Sequence, residues 1–147
     1  MNIKNTPLRR LFEYWRAKAS ARVAPRRCDI DPVLEIPAIV PHVGLVEVLE
    51  GGRDFRFRLA GGEMRDMFGR ELRGARLSEI RLNDDAAGTL AEYQAVATTC
   101  RPGCRFHDFT QRGGQRIRYE CLVCPLIDDH GQVHMLLVGM CFDSSYS

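Results

Sequence analysis

No apolar run approaches the roughly 20 residues that a membrane-spanning helix needs; the most apolar stretch, HMLLVGMCF, is short and interrupted by Gly139. Nor does the start, MNIKNTPLRR, hold the apolar centre of a secretory leader. A soluble, cytoplasmic protein is expected, in a reducing compartment where its six cysteines need no disulfide framework. The pairs Gly51-Gly52, Gly61-Gly62 and Gly113-Gly114 lack the spacing of phosphate-binding loops and read as turn punctuation. No nucleophile with a base and no paired carboxylates stand out. Asp84-Asp85 and Asp128-Asp129 fall where a helix cap and a hairpin turn need short polar side chains. A small cone-shaped α+β enzyme would need an inward dyad, and adjacent strand residues such as His107 and Asp108 point to opposite sides. Enzymatic activity is therefore not expected, and no catalytic residue is assigned.

What the chain does contain is globular. Its 147 residues, 45% hydrophobic and 27% charged, suffice for one domain with its own core. The net charge of +2 conceals an asymmetry: residues 1–27 carry eight Lys or Arg against Glu13 alone, and the remainder is net acidic. The expected division is a basic amphipathic helix with a linker over 1–27 and a single α+β domain over 28–147. Such an arm can attract nucleic acid, but basic helical extensions are more often solvated faces or subunit contacts, and nucleic acid is not the expected partner.

Thr6 and Pro7 supply an N-cap and first-turn proline, after which Leu8, Leu11, Phe12 and Trp15 recur at the spacing of one helical face. That stripe must cover either the domain's own sheet or the same helix of a second subunit. Asp31-Pro32 opens a short turn or helix, and from Val43 the period becomes strand-like. GLVEVLE, a GGRD turn and DFRFRLA form a hairpin in which Phe55, Phe57 and Leu59 share the dry face. Met64, Met67 and Phe68 then mark a short helix ending at Gly69, and Ala86, Leu90, Tyr93 and Ala97 the stripe of a longer one. Three strands follow. In the last, VHMLLVGMCFD, both faces are apolar, so it belongs at the centre of a sheet covered on both sides.

Strand, strand, helices and three strands with the last one central resemble the PAS fold, a five-stranded antiparallel sheet with helices on one face. LRRLFEYWRA, DIDPVLEIPAIVPHVGLVEV and FRFRLAGGEMRDMFGRELRGARLSEI are similar to a branch of small stand-alone bacterial PAS proteins. Gly62 departs from that branch, where Gly-Thr commonly follows the strand. The resemblance implies a sensory or interaction module in signal transduction, with no output domain of its own, acting as a homodimer or through a signalling partner. It also implies a pocket between sheet and helices for a small molecule, walled by Phe57, Leu59, Met64, Met67, Phe68, Leu90, Tyr93, Tyr119 and Cys121, which would equally serve as a filled core. Leu8, Leu11, Phe12 and Trp15 are the candidate dimer or partner seam. Neither haem nor flavin is supported: residues 84–99 hold no His or Cys for an axial bond, and the flavin-binding Asn-Cys-Arg-Phe-Leu type of motif is missing. No cofactor is assigned.

Cysteines 100, 104, 121 and 124 approach a two-knuckle zinc spacing. Residues three apart on a strand face opposite ways, however, and no glycine follows either pair. Metal is therefore not expected, and packing is the leading role for the thiols. If the hairpin turns at Gly113-Gly114, positions summing to about 227 face each other, which makes Cys104 and Cys124 the candidate redox pair. His42 and His107 are expected to be surface or hydrogen-bonded side chains.

Overall fold

The computed structural model describes residues 1–143; the end of the expected domain, 144–147, lies outside the described residues. Helix α1 (Thr6–Ala19) carries Pro7 in its first turn. The cap position belongs to Asn5 rather than Thr6, and the Asn5 side chain does not cap the helix but reaches Glu120. Helix α2 (Pro32–Glu35) is a single turn capped by Asp31, and a 3-10 segment at Pro37–His42 leads into β1 (Val43–Leu49). Strand β2 (Asp54–Ala60) follows, then α3 (Gly62–Phe68) and, after a 3-10 turn at Leu77–Glu79, α4 (Ala86–Thr99). The chain closes with β3 (Gly103–Thr110), β4 (Arg116–Ile127) and β5 (Val133–Asp143).

The pairings among the five strands are all antiparallel and the strand order is β2-β1-β5-β4-β3, so the doubly apolar last strand is the central one. Its two faces serve two separate layers. On one, the alternate residues Leu136, Val138 and Met140 meet Phe55, Phe57, Met64, Tyr93 and Tyr119 beneath α3 and α4. On the other, Leu137 and Cys141 meet Leu8, Leu11 and Trp15 of α1. Gly139 lets α1 come this close: a Cβ there would fall 2.7 Å from the Cδ2 atoms of both Leu8 and Leu11.

Helix α1 is thus the cover of the sheet. Trp15 is 5% exposed and its indole N–H donates to the Pro125 carbonyl at 2.8 Å. The N-terminal segment is tied down as well: the Glu120 carboxylate accepts from the backbone N–H of Lys4 and of Asn5 and from Asn5 Nδ2, each at 2.8 Å. Ile3 is buried in the same core, so the segment expected as an arm and linker shares its packing with the sheet. Because Leu8, Leu11 and Trp15 are committed to the chain's own sheet, they cannot also form a seam to a second subunit; Phe12 is half-buried and stacks on Trp15.

The β1–β2 hairpin does not keep a strict period of two. Leu45 pairs with Leu59 but Val46 with Phe57, leaving Arg58 as the extra residue of a β-bulge. One inserted residue reverses the face of everything beyond it. Leu59 therefore packs with the α1 layer instead of continuing the Phe55–Phe57 row.

Candidate functional site

Two features adjoin on the helix-covered face. The first is a cavity of about 270 Å³ between the Leu77–Glu79 turn and the start of α4, lined by Arg53, Asp54, Leu77, Ser78, Ile80, Leu82, Ala86, Ala87, Thr89 and Leu90. Its wall is largely aliphatic, with polar groups at defined points. Thr89 is buried and its hydroxyl has no hydrogen-bond partner. Asp54, also buried, accepts from Ser78 N–H at 3.2 Å, Ser78 Oγ at 2.6 Å and its neighbour Phe55 N–H at 2.8 Å. Burial would push this carboxyl up, but those donors and the Arg76 guanidinium outweigh it and hold the group below the usual Asp range. The result is a fixed negative anchor that ties the Leu77–Glu79 turn to β2.

The second feature is centred on His107, in the edge strand β3. His107 Nε2 lies 3.1 and 3.2 Å from the two Glu92 oxygens, and Nδ1 lies 2.8 Å from Asn83 Nδ2. An amide nitrogen can only donate, so Nδ1 accepts and Nε2 carries the proton given to Glu92. Glu92 points inward from α4 with 5% exposure. Cys121, fully buried on β4, adds its thiol: one donor atom each from Glu92, His107 and Cys121 lie within 4.8 Å of one another. Burial, with Glu92 beside it, pushes the Cys121 thiol well above its ordinary value. Tyr93 is likewise raised by burial next to Cys121, and its hydroxyl has no nitrogen or oxygen partner.

Sequence reasoning did not find Glu92. The stripe expected on α4, Ala86, Leu90, Tyr93 and Ala97, is rotated: the buried residues are Thr89, Glu92, Tyr93 and Val96. A polar residue on the inner face is invisible to an apolar period. The available signal was combinatorial, namely that Thr89, Glu92 and Val96 share the helical spacing of Tyr93.

The residues expected to wall a pocket divide four ways. Phe57, Met64, Tyr93, Tyr119 and Cys121 form filled core, and Phe68 closes it with edge contacts to Phe109, Tyr119 and Phe142 at 4.9 to 5.7 Å. Met67 is half-buried on the outer side of α3, where its carbonyl accepts from Gln111 Nε2. Leu59 faces the opposite layer because of the bulge. Leu90 alone of the nine lines the cavity.

The cysteines separate similarly. Cys121 faces the α4 layer and Cys124 the α1 layer, with Cys104 packed against the latter. The β3–β4 register sums to 226, pairing Cys104 with Leu122 and leaving Cys124 diagonal to it. Diagonal positions stand about 7–8 Å apart, beyond a disulfide's reach without backbone movement. All six cysteines are free thiols. His42 is hydrogen-bonded, its Nδ1 lying 3.0 Å from the Met140 carbonyl.

A family model described as PAS domain matches residues 3–141. No curated protein matches the chain. Among solved structures, the PAS domain of Bordetella pertussis BvgS superposes with a TM-score of 0.55 at 18% identity, over 71% of this chain and 78% of that one. The Rhodobacter sphaeroides LOV protein gives a TM-score of 0.55 at 13% identity, over 70% of this chain and 59% of the LOV protein. PAS-B of Drosophila melanogaster Cycle, solved with bound glycerol, gives 0.54 at 10% identity, over 69% of this chain and 99% of its own. At these identities the likeness is one of fold.

Proposed function

This chain belongs to the PAS domain family, and from that premise we propose that it is a regulatory module of signal transduction that binds a small, largely apolar molecule beside α4 and presents the outcome to a protein partner. The observation that carries this is the cavity of about 270 Å³ with an unpartnered, buried Thr89 hydroxyl on its wall. Its volume lies just under the ~300–1,000 Å³ typical of drug-sized ligands, which favours a smaller guest accepting or donating one hydrogen bond. Asp54 and Ser78 couple that wall to β2, so a guest that displaces the Leu77–Glu79 turn strains a buried anchor. Catalysis is no part of this role.

For the partner-facing surface, the exposed apolar side chains include Val33 and Leu34 on α2, 54% and 78% accessible, and Val23 ahead of it, 70% accessible. They take the place of the α1 stripe as candidate contacts, for a second copy or for a signalling protein. Among the described residues no helix is long and apolar enough to cross a membrane. A bacterial, cytoplasmic setting is part of the same proposal.

The test is native mass spectrometry and an absorption spectrum of freshly purified protein, followed by titration with small apolar alcohols and ketones monitored by amide NMR. Shifts should concentrate at Leu77–Leu82 and Ala86–Leu90 and disappear in Leu90→Trp, which fills the cavity. No shifts in the wild type, or shifts undiminished in Leu90→Trp, would refute the ligand site. Light scattering of wild type and Leu34→Glu tests the α2 surface; equal masses at all concentrations would remove it as a self-association seam.

A further inference from the structure

We infer that Glu92, His107 and Cys121 form a binding site for one divalent transition-metal ion of zinc-like chemistry. The donor set is carboxylate, imidazole and thiolate, which suits a borderline-soft ion and excludes magnesium or calcium. Three protein ligands with one position left over is the pattern of an open tetrahedral site. The donor atoms come from three elements, α4, β3 and β4, and lie within 4.8 Å of one another. His107 Nε2 and the Glu92 oxygens, 3.1 and 3.2 Å apart, already have the separation of two ligands on one ion with bonds of about 2.0–2.2 Å. Closing the site requires the sulfur to move in by no more than about 1–1.5 Å, given Zn–S of about 2.3 Å.

Two further observations point to the same ion. A dication with one carboxylate and one thiolate makes a neutral cluster, the condition under which charge is tolerated in a buried layer. Around the three donors lie buried polar atoms without a nitrogen or oxygen partner: Oδ1 of the Asn83 amide whose nitrogen meets the imidazole, and Tyr93 Oη, which faces the Cys121 thiol. When the ion binds Nε2, the ring proton sits on Nδ1; a half-turn of the Asn83 amide brings Oδ1 to accept it, and Tyr93 O–H donates to the thiolate. The balance is one metal ion taken up and one proton released, from Cys121 Sγ. The imidazole stays neutral, its proton passing from Nε2 to Nδ1. Entry is available from the cleft that borders His107, where Asp84, Asp85 and Asp108 outnumber Arg105.

The experiment uses the full chain, stripped with a chelator and titrated with Co2+ alone, then with Zn2+ as competitor. Expected are one equivalent bound, a thiolate-to-cobalt charge-transfer band with the intense d–d bands of a tetrahedral ion, and displacement by Zn2+. Apparent affinity should rise about tenfold per pH unit while the single thiol proton is released. Cys121→Ala should abolish the charge-transfer band, and Asn83→Ala should weaken binding about 10–100-fold. Cys28→Ser, at an exposed thiol, should change nothing. Should Cys121→Ala not fold, His107→Gln serves instead, with a loss of at least about 100-fold expected. Absence of the band in folded wild type, its retention in Cys121→Ala, or an undiminished affinity in His107→Gln overturns the assignment; loss in Cys28→Ser does so too, by placing the ion at a surface thiol. Ligand binding at the Leu90 cavity can fail without affecting any of these outcomes.

Discussion

Glu120→Gln isolates what holds α1 against the sheet. The carboxylate receives three N–H donors from Lys4 and Asn5, all at 2.8 Å, in a site only 1% exposed. Glutamine keeps one oxygen, which can still serve the two Asn5 donors, but turns an NH2 group toward the Lys4 N–H. One charge-assisted bond is lost, worth about 1.5–3 kcal/mol, and the others weaken with the charge. A destabilisation of about 2–3 kcal/mol at pH 7 is expected. Trp15 is the chain's one tryptophan and sits on the same helix, so its fluorescence in a urea titration reads the detachment directly. The pH dependence supplies an independent check. Burial by itself would raise the Glu120 carboxyl, but the donors from Lys4 and Asn5 prevail and hold it below the ordinary 4.5. A depressed folded-state value means stability that is present above pH 4.5 and is lost as pH falls through that lower value. The gap between wild type and Glu120→Gln should accordingly narrow with acid. A difference under about 0.5 kcal/mol at pH 7, the range of ordinary surface changes, or a gap that does not change with pH, would refute the reasoning.

Gly139→Ala drives a methyl to 2.7 Å from Leu8 and Leu11 on the central strand and should cost about 1–3 kcal/mol in urea unfolding; an unchanged midpoint would mean that α1 does not press on β5. Trp15→Phe retains most of the ring but strands the Pro125 carbonyl, for a loss of about 1–3 kcal/mol followed by far-UV circular dichroism. Thr89→Val removes a hydroxyl that has no partner and should leave the protein as stable or up to ~1 kcal/mol more so in calorimetry. A clear loss of stability there would show that the hydroxyl is satisfied.

Much of the architecture is legible in the residues. The Leu8–Leu11–Trp15 stripe and the two apolar faces of VHMLLVGMCFD each demand a cover, and the structure joins those demands to one another. Leu59 shows where such reasoning stops. Its alternation with Phe57 is intact in the sequence, yet the bulge at Arg58 depends on how β1 and β2 pair, and pairing is not a property of either strand alone. The Cys104–Cys124 pairing turned on the same kind of contact, because a register two residues away, with Cys104 opposite Leu122, makes a facing pair diagonal.

The candidate sites lay further from view. Apolar periodicity locates faces, whereas Glu92 and Thr89 are polar residues on the inner face of α4, recognisable only once His107 and the cavity stand opposite them. By itself the sequence determined the fold class, the order of elements, the central place of the last strand and the need for α1 as a cover, since local period and burial of apolar surface are written residue by residue. Only the tertiary structure decided register, the direction of Leu59, the use of the α1 stripe within one chain, and the meeting of Glu92, His107 and Cys121. Each of these depends on contacts between segments distant in sequence, whose geometry is set jointly by all the layers that pack together.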